Sequence, residues 1–247
     1  MAGRNGKTCF SLEIPILEYQ TALDLQHRLV AARQAGVIEN DTVLMLEHPS
    51  VFTLGRRGGA ENLKVSRSFL DGLKIPVIQV ERGGDITFHG PGQLVVYPIV
   101  DLARAGLKII DYVSGLEEIM LRTVSDWGIF AERNCVNRGI WIGDKKLGSV
   151  GISVKRGISF HGFALNVSLS LEPFQWIHPC GLADVDVTSM ARELSKNICV
   201  NPVRESVKYH LSSVFGFKLI EIEHAKIHQL LRNCSDRNTL MTLSRPT

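Results

Sequence analysis

The stretch IWIGDKKLGSVGISVKRGISFHGFALNV, Ile140 to Val167, decides the fold class. Ile140-Trp141-Ile142 meets Gly143-Asp144, which reads as a two-residue hairpin turn. A return strand runs from Lys145 to about Val154. Arg156-Gly157 makes the next turn, and Phe160 to Val167 follows as a further strand. Upstream, Ile110, Val113, Leu116, Met120, Val124 and Trp127 recur on one helical face, with Gly128 as the residue that ends the helix. Before that, Leu94 to Val100 is an apolar strand in which Pro98 predicts an edge or a bulge. Val77 to Val80 and Val43 to Leu46 are two shorter strands, the latter stopped by His48-Pro49. A helix is expected over about 17–34. Downstream, Asn201-Pro202 reads as an N-cap followed by proline at the first helical position. Val203, Val207, Leu211 and Val214 then continue a helix up to Gly216. Hairpins and helices alternate without a repeating strand–helix–strand unit. That order predicts an α+β domain with a mixed, largely antiparallel sheet packed by helices.

The chain has 247 residues, 45% of them hydrophobic and 21% charged, which is globular composition and excludes a disordered chain. Length allows one large domain or one of roughly 200 residues with a small appendage. The expected division is a main domain over 1–216 and an extension over 217–247. In that extension 217–232 adds a strand and a helix, and the tail from Asn233 is polar and loosely ordered. The net charge is +3, and no Lys/Arg block is dense enough for a nucleic-acid arm. Five cysteines, at 9, 135, 180, 199 and 234, include no CxxC pair, so a disulfide scaffold or a four-cysteine zinc site is not expected. Met1 to Phe10 has no apolar signal core, and no stretch approaches the roughly 18 apolar residues of a membrane span. These features predict a soluble cytoplasmic protein with reduced thiols.

Three segments carry residues suited to chemistry. Arg82-Gly83-Gly84-Asp85-Ile86-Thr87-Phe88-His89-Gly90-Pro91-Gly92-Gln93 joins two strands. It is either a tight irregular turn with a solvated arginine or a loop whose backbone N–H groups meet ligand oxygens. It is not a P-loop, because GKS or GKT is missing. In Lys145-Lys146-Leu147-Gly148-Ser149-Val150-Gly151, strand alternation sends the two lysines to opposite faces. One lysine can then point inward with a tuned pKa, or both are exposed hairpin residues. Cys180, in Ile177-His178-Pro179-Cys180-Gly181, lies outside any periodic element. It is an inert loop thiol or an exposed one whose pKa nearby cations lower. His89, His161 and His178 attend these segments without metal-ligand spacing, so no metal is expected. His161 also fits a satisfied core histidine.

RGGxxTxHGPGQ, the KK[IL]xSxG hairpin, SFHGxALNV and the PCG cysteine occur here in that order. In this combination, over about 40–215, the chain resembles the octanoyl-[acyl-carrier-protein]:protein octanoyltransferases of lipoate biosynthesis. Phe88 stands where many members carry tyrosine. The resemblance implies the fold shared by biotin and lipoate protein ligases and transfer of an octanoyl group to a lysine of a lipoyl domain. It implies Cys180 as nucleophile and Lys146 as the catalytic lysine, with Lys145 facing away. It implies three substrate-binding segments: Arg82, Gly83, Gly84, Asp85, Ile86, Thr87, Phe88 and His89; Ser149, Val150 and Gly151; and Gly162, Phe163 and Ala164. Val150 and Phe163 are the residues expected to line an apolar slot. The implied partners are octanoyl-acyl carrier protein and the lipoyl domains of 2-oxoacid dehydrogenase complexes and of the glycine cleavage H protein. No cofactor, nucleic acid or membrane is implied. Three rivals stand beside this reading: an ATP-dependent lipoate ligase on the same fold, an octanoyl amidotransferase, and a non-catalytic module that binds the carrier protein. The proline–cysteine–glycine context separates the first, since a ligase needs no nucleophilic cysteine.

Overall fold

Two turns generate the centre of the molecule. Gly143 takes φ 58°, and Arg156 and Gly157 take φ 50° and 85°, so the chain reverses tightly at both places. The computed structural model describes residues 7–134, 137–178 and 185–232. The first half contains β1 (Lys7–Ile14), α1 (Tyr19–Gln34), β2 (Asp41–Leu46), β3 (Val51–Leu54), α2 (Arg67–Gly72), β4 (Val77–Gln79), β5 (Ile86–His89) and β6 (Gln93–Ile99). Then come α3 (Leu102–Ala105), α4 (Ile109–Ser125), β7 (Glu132–Arg133), β8 (Gly139–Ile142), β9 (Lys145–Lys155) and β10 (Ile158–Asn166). The last described elements are β11 (Asp186–Val187), α5 (Met190–Leu194), α6 (Val200–Phe215), β12 (Phe217–Glu221) and α7 over 224–232.

Among the described residues, nine strands form one sheet in the order β12-β1-β2-β6-β10-β9-β8-β7, with β11 also paired to β9. β1 is parallel to β12 and β2, and β11 is parallel to β9; the remaining pairs are antiparallel. A smaller sheet, β4-β3-β5, stands beside it. Successive residues of β2 alternate between two cores. Val43 and Met45 join the cluster under α4 and α6, while Leu44 and Leu46 join the cluster under α1 and α7. β6 does the same with Leu94 and Val96 against Val95, Tyr97 and Ile99. Helices on both faces explain why these strands read as unbroken apolar runs rather than as alternating ones.

The architecture is the mixed, largely antiparallel sheet packed by helices that the strand order implied. Four local expectations change. Pro98 is not on an edge strand, because β6 lies between β2 and β10. Its register partner on β2 is Val43, and pairing with β10 stops at Phe163↔Val96, so the missing N–H falls where that ladder has ended. Asn201 is not the N-cap of α6. The helix begins at Val200, capped by Cys199, because Val200 and Val203 both bury against the core. Pro202 is tolerated there because first-turn N–H groups have no intrahelical acceptor. Ile110 is 54% exposed although it fits the periodicity of α4, and the buried face instead includes Tyr112 and Glu117. The boundary expected after Gly216 falls inside the sheet. β12 pairs with β1, and Ile227 and Leu231 of α7 are buried in the α1 core, so 217–232 completes the domain instead of extending it. The tail from Asn233 and the loop holding Cys180 lie outside the described residues. Among those residues, no helix is long and apolar enough to cross a membrane.

Candidate active site

A pocket opens where the end of β5 and the loop before it face β9 and β10. Three separated chain segments meet there: 82–87 with His89, 149–151, and 162–164, together with Lys146. The 82–85 loop is held from both sides. Gly83 N–H donates to Ile152 O at 2.9 Å, while Arg56 N–H and Arg57 N–H donate to Arg82 O and Gly84 O at 3.0 and 3.1 Å.

Strand alternation sets the lysine. Lys146 is 4% exposed and lines the pocket, whereas Lys145 is half-buried on the other side of β9. The Lys146 ammonium donates to Asn137 Oδ1 at 2.6 Å and stands 5.2 Å from the centroid of the Trp141 ring. Trp141 is its register partner across the β8–β9 hairpin. A hydrogen bond and an aromatic face thus help compensate a buried cation.

On the opposite wall, Arg82 is buried against β3. Its Nη2 donates to Thr53 O and Thr53 Oγ1, both at 2.7 Å, and its Nη1 donates to Gly83 O at 3.1 Å. Gln93 uses its amide N–H groups for Phe88 O and Asn166 Oδ1, so its Oε1 accepts from His89 Nδ1–H at 2.7 Å. His89 Nε2 is then left as an acceptor, facing the Thr53 hydroxyl at 3.4 Å. Burial, with His48 and Arg82 nearby, holds the His89 pKa well below the ordinary histidine value, so the ring is neutral. Burial likewise lowers His48 to about 4 and raises Tyr19 to about 12.

His161 is 1% exposed, lines the pocket and takes φ 55°. Its backbone N–H donates to Gln26 Oε1 at 2.8 Å. It is not the satisfied core histidine that fitted its sequence context, because neither ring nitrogen has a hydrogen-bond partner. Glu81 Oε2 stands 3.9 Å from His161 Nε2, beyond hydrogen-bond reach.

Val150 and Phe163 are both on the pocket wall. Phe88 is not; its ring turns to the other face of β5 and packs on Phe52 and Phe174 in the core of the small sheet. The absent hydroxyl therefore concerns that core rather than the pocket. Cys180 is outside the described residues, and the described part of its segment ends at His178.

Residues 18–212 match the model of the lipoyl protein ligase A/B catalytic domain. The chain belongs to this family. The family's relatives include the octanoyltransferase of Syntrophobacter fumaroxidans, 48% identical over 209 residues that make up 85% of this chain and 91% of that protein. The octanoyltransferase of Desulfotalea psychrophila is 41% identical over 219 residues, 87% of this chain and 98% of that one. A solved structure of an archaeal bi-partite lipoate protein ligase and its E2 lipoyl domain, from Thermoplasma acidophilum, superposes with a TM-score of 0.70 at 16% identity. It covers 94% of this chain and 92% of that one. At that identity the likeness establishes the ligase fold.

Several residues that line or support the pocket of this family member had no sequence signal of their own. Tyr97 sits in an apolar run, and Tyr19 sits on the buried face of α1. Thr53, which holds Arg82, is a lone polar residue in the strand Val51-Phe52-Thr53-Leu54, and that place in an apolar run is the one hint that it must satisfy a partner. Asn137 precedes the hairpin and carries no motif.

Proposed function

We propose that this family member moves an octanoyl group from octanoyl-acyl carrier protein through a thioester on Cys180 to a lysine of a lipoyl domain. It is an acyltransferase of lipoate biosynthesis, the activity its curated relatives are named for. The observation that carries the reading is a buried lysine ammonium on the wall of a pocket that Val150 and Phe163 also line. The acceptors are the lipoyl domains of 2-oxoacid dehydrogenase complexes and of the glycine cleavage H protein, in the cytoplasm.

The reaction has two halves, in ping-pong order. The Lys146 ammonium favours the Cys180 thiolate. The thiolate attacks the thioester carbonyl, and backbone N–H groups of the glycine loops steady the oxyanion. The carbon–sulfur bond to pantetheine breaks, and Lys146 gives its proton to the departing sulfur. The exchange of one thioester for another is nearly isoenergetic, so no ATP is required. The carrier leaves and the acceptor amine, having lost its ammonium proton to solvent, attacks the acyl-enzyme. Lys146, now neutral, takes the proton that the new amide nitrogen releases. Cys180 departs as thiolate, and the starting charges are restored. Val150 and Phe163 hold the chain, at about 0.8 kcal/mol per buried methylene.

Intact mass spectrometry after mixing with octanoyl-acyl carrier protein, without ATP or magnesium, tests this. A covalent octanoyl adduct is expected and is absent from Cys180→Ser. Transfer that requires ATP, or wild type that never gains the adduct, overturns the thioester route in favour of a ligase or a binding module.

A further inference from the structure

We infer that Glu117 is a positioning residue for Lys146, acting through the turn at 137–139; this rests on the role given to Lys146 above. Glu117 lies on α4 between the core residues Leu116 and Met120, and its exposure is 0%. A carboxylate at such a place is costly unless it is paired and hydrogen-bonded. A leucine would fill the same helix face, so the reason for the carboxylate lies in what it holds. Its Oε1 accepts the Gly139 N–H at 2.9 Å. Its Oε2 accepts from Arg138 Nη1 at 3.2 Å and faces Arg133 Nε at 3.6 Å. Both arginine side chains are more than two-fifths exposed, and water can serve them. The Gly139 N–H is buried and depends on Glu117.

The segment so anchored is the one that holds the ammonium. Asn137 supplies Oδ1 to Lys146 Nζ at 2.6 Å. Trp141 supplies the ring 5.2 Å away and ties itself to the turn by donating from Nε1 to Asn137 O at 3.2 Å. Between them Gly139, at φ 137°, lies directly on the lysine stem: a Cβ there would stand 3.0 Å from Lys146 Cε and 2.1 Å from Gly148 O. The turn therefore fits against Lys146 with no slack. The Glu117–Gly139 bond fixes the turn's distance from the helix. Releasing it lets Asn137 Oδ1 move off Nζ, and a hydrogen bond weakens steeply with such a shift. Glu117 touches no reacting group; it sets where the ammonium stands.

Two substitutions separate reach from charge. Glu117→Asp keeps the charge and the arginine pairing but withdraws the acceptor by one methylene. Glu117→Gln keeps the reach and drops the charge. The probe is the Lys146 Nζ resonance in protein labelled with ¹⁵N-lysine, identified by its loss in Lys146→Met, together with kcat and KM for octanoyl transfer to a lipoyl domain. Asn137→Ala and Glu117→Asp should each speed Nζ proton exchange and lower kcat by about tenfold, with KM unchanged. Glu117→Gln should stay within about threefold of wild type on both. Damage in Glu117→Gln with Glu117→Asp unaffected would assign the effect to charge and overturn the inference. So would an unmoved Nζ resonance in Glu117→Asp. If the resonance moves as expected while Lys146→Met still transfers octanoyl at the wild-type rate, positioning stands and the role of Lys146 falls.

Discussion

The Arg82 wall of the pocket turns its polar groups into the protein, while the Lys146 wall presents a cation to the cavity. On the first wall, Arg82 bonds to Thr53 and Gly83, His89 to Gln93, Gln93 to Asn166, and Asn166 to Thr188 O. A side chain whose donors are met by its neighbours resists movement and keeps a pocket in shape. On the second wall, Lys146 stands against an amide oxygen and an indole face at the base of a hairpin. An ammonium on a cavity wall can surrender a proton when the charge opposite changes. The comparison teaches that two buried cations in one pocket need not serve the same end. Under the function proposed above, one serves shape and the other proton transfer.

Replacing each cation is the sharpest way to break that contrast. Lys146→Met should lower octanoyl transfer to a lipoyl domain by about a thousandfold, whereas Lys145→Met stays within about threefold. In the same variants, the pH midpoint of iodoacetamide alkylation at Cys180 should rise toward the free-thiol value of about 8.5 for Lys146→Met and stay in place for Lys145→Met. Equal midpoints in wild type and Lys146→Met would remove Lys146 from the mechanism and turn attention to His161. The next effect is Arg82→Ala, which removes the donor that both the Thr53 carbonyl and hydroxyl oxygens accept from. Turnover should drop by about a hundredfold while the Cys180 alkylation midpoint holds. A shifted midpoint would mean that both walls activate the thiol.

The shape wall also has a signature in acid. His48 hydrogen-bonds Leu17 O and Tyr97 Oη, and burial holds its pKa at about 4 against an ordinary 6.5. The unfolded chain therefore takes up a proton that the folded one refuses. This contribution is complete above pH 6.5 and is lost as the pH falls toward 4, a change of about 3 kcal/mol. His89 and His161 shift in the same direction and add to it. Urea unfolding at several pH values should show the loss, and His48→Gln should flatten it; an unchanged slope would place the acid sensitivity elsewhere. The smallest effect concerns the floor that both walls share. At Gly162 a Cβ would fall 2.1 Å from Val96 O and 2.7 Å from Pro98 Cδ. Gly162→Ala should cost about 2 kcal/mol in urea unfolding, and a neutral result would show that β10 can move away from β6.

Much of this was legible along the chain because the signals are local. Turn chemistry at Gly143-Asp144 and Arg156-Gly157 gives the β8–β9–β10 hairpins, and two-residue alternation separates Lys146 from Lys145. β1 was not singled out, although Phe10, Leu12 and Ile14 alternate with Ser11 and Glu13; its partners β12 and β2 are joined to it by parallel pairing, and β12 comes from the far end of the chain. β12 and α7 read as an appendage for the same reason, because parallel pairing across the whole chain leaves no mark in a short window. The glycine loop at 82–93 stood out, yet the side of β5 to which Phe88 turns did not, because that depends on Phe52 and Phe174.

By itself the amino-acid sequence determined the antiparallel centre of the sheet, the family and the residue types that could hold and transfer an acyl group. These rest on turn preferences, strand period and motif order, all written within a few residues of one another. Only the tertiary structure decided which polar groups meet. Asn137 reaches Lys146 because the β8–β9 hairpin folds back, Thr53 reaches Arg82 because β3 pairs with β5, and Glu117 reaches Gly139 because α4 packs on the sheet. A hydrogen bond is lost when its partners separate by about an ångström. Periodicity places a side chain on a face, and packing alone brings it within that distance of its partner.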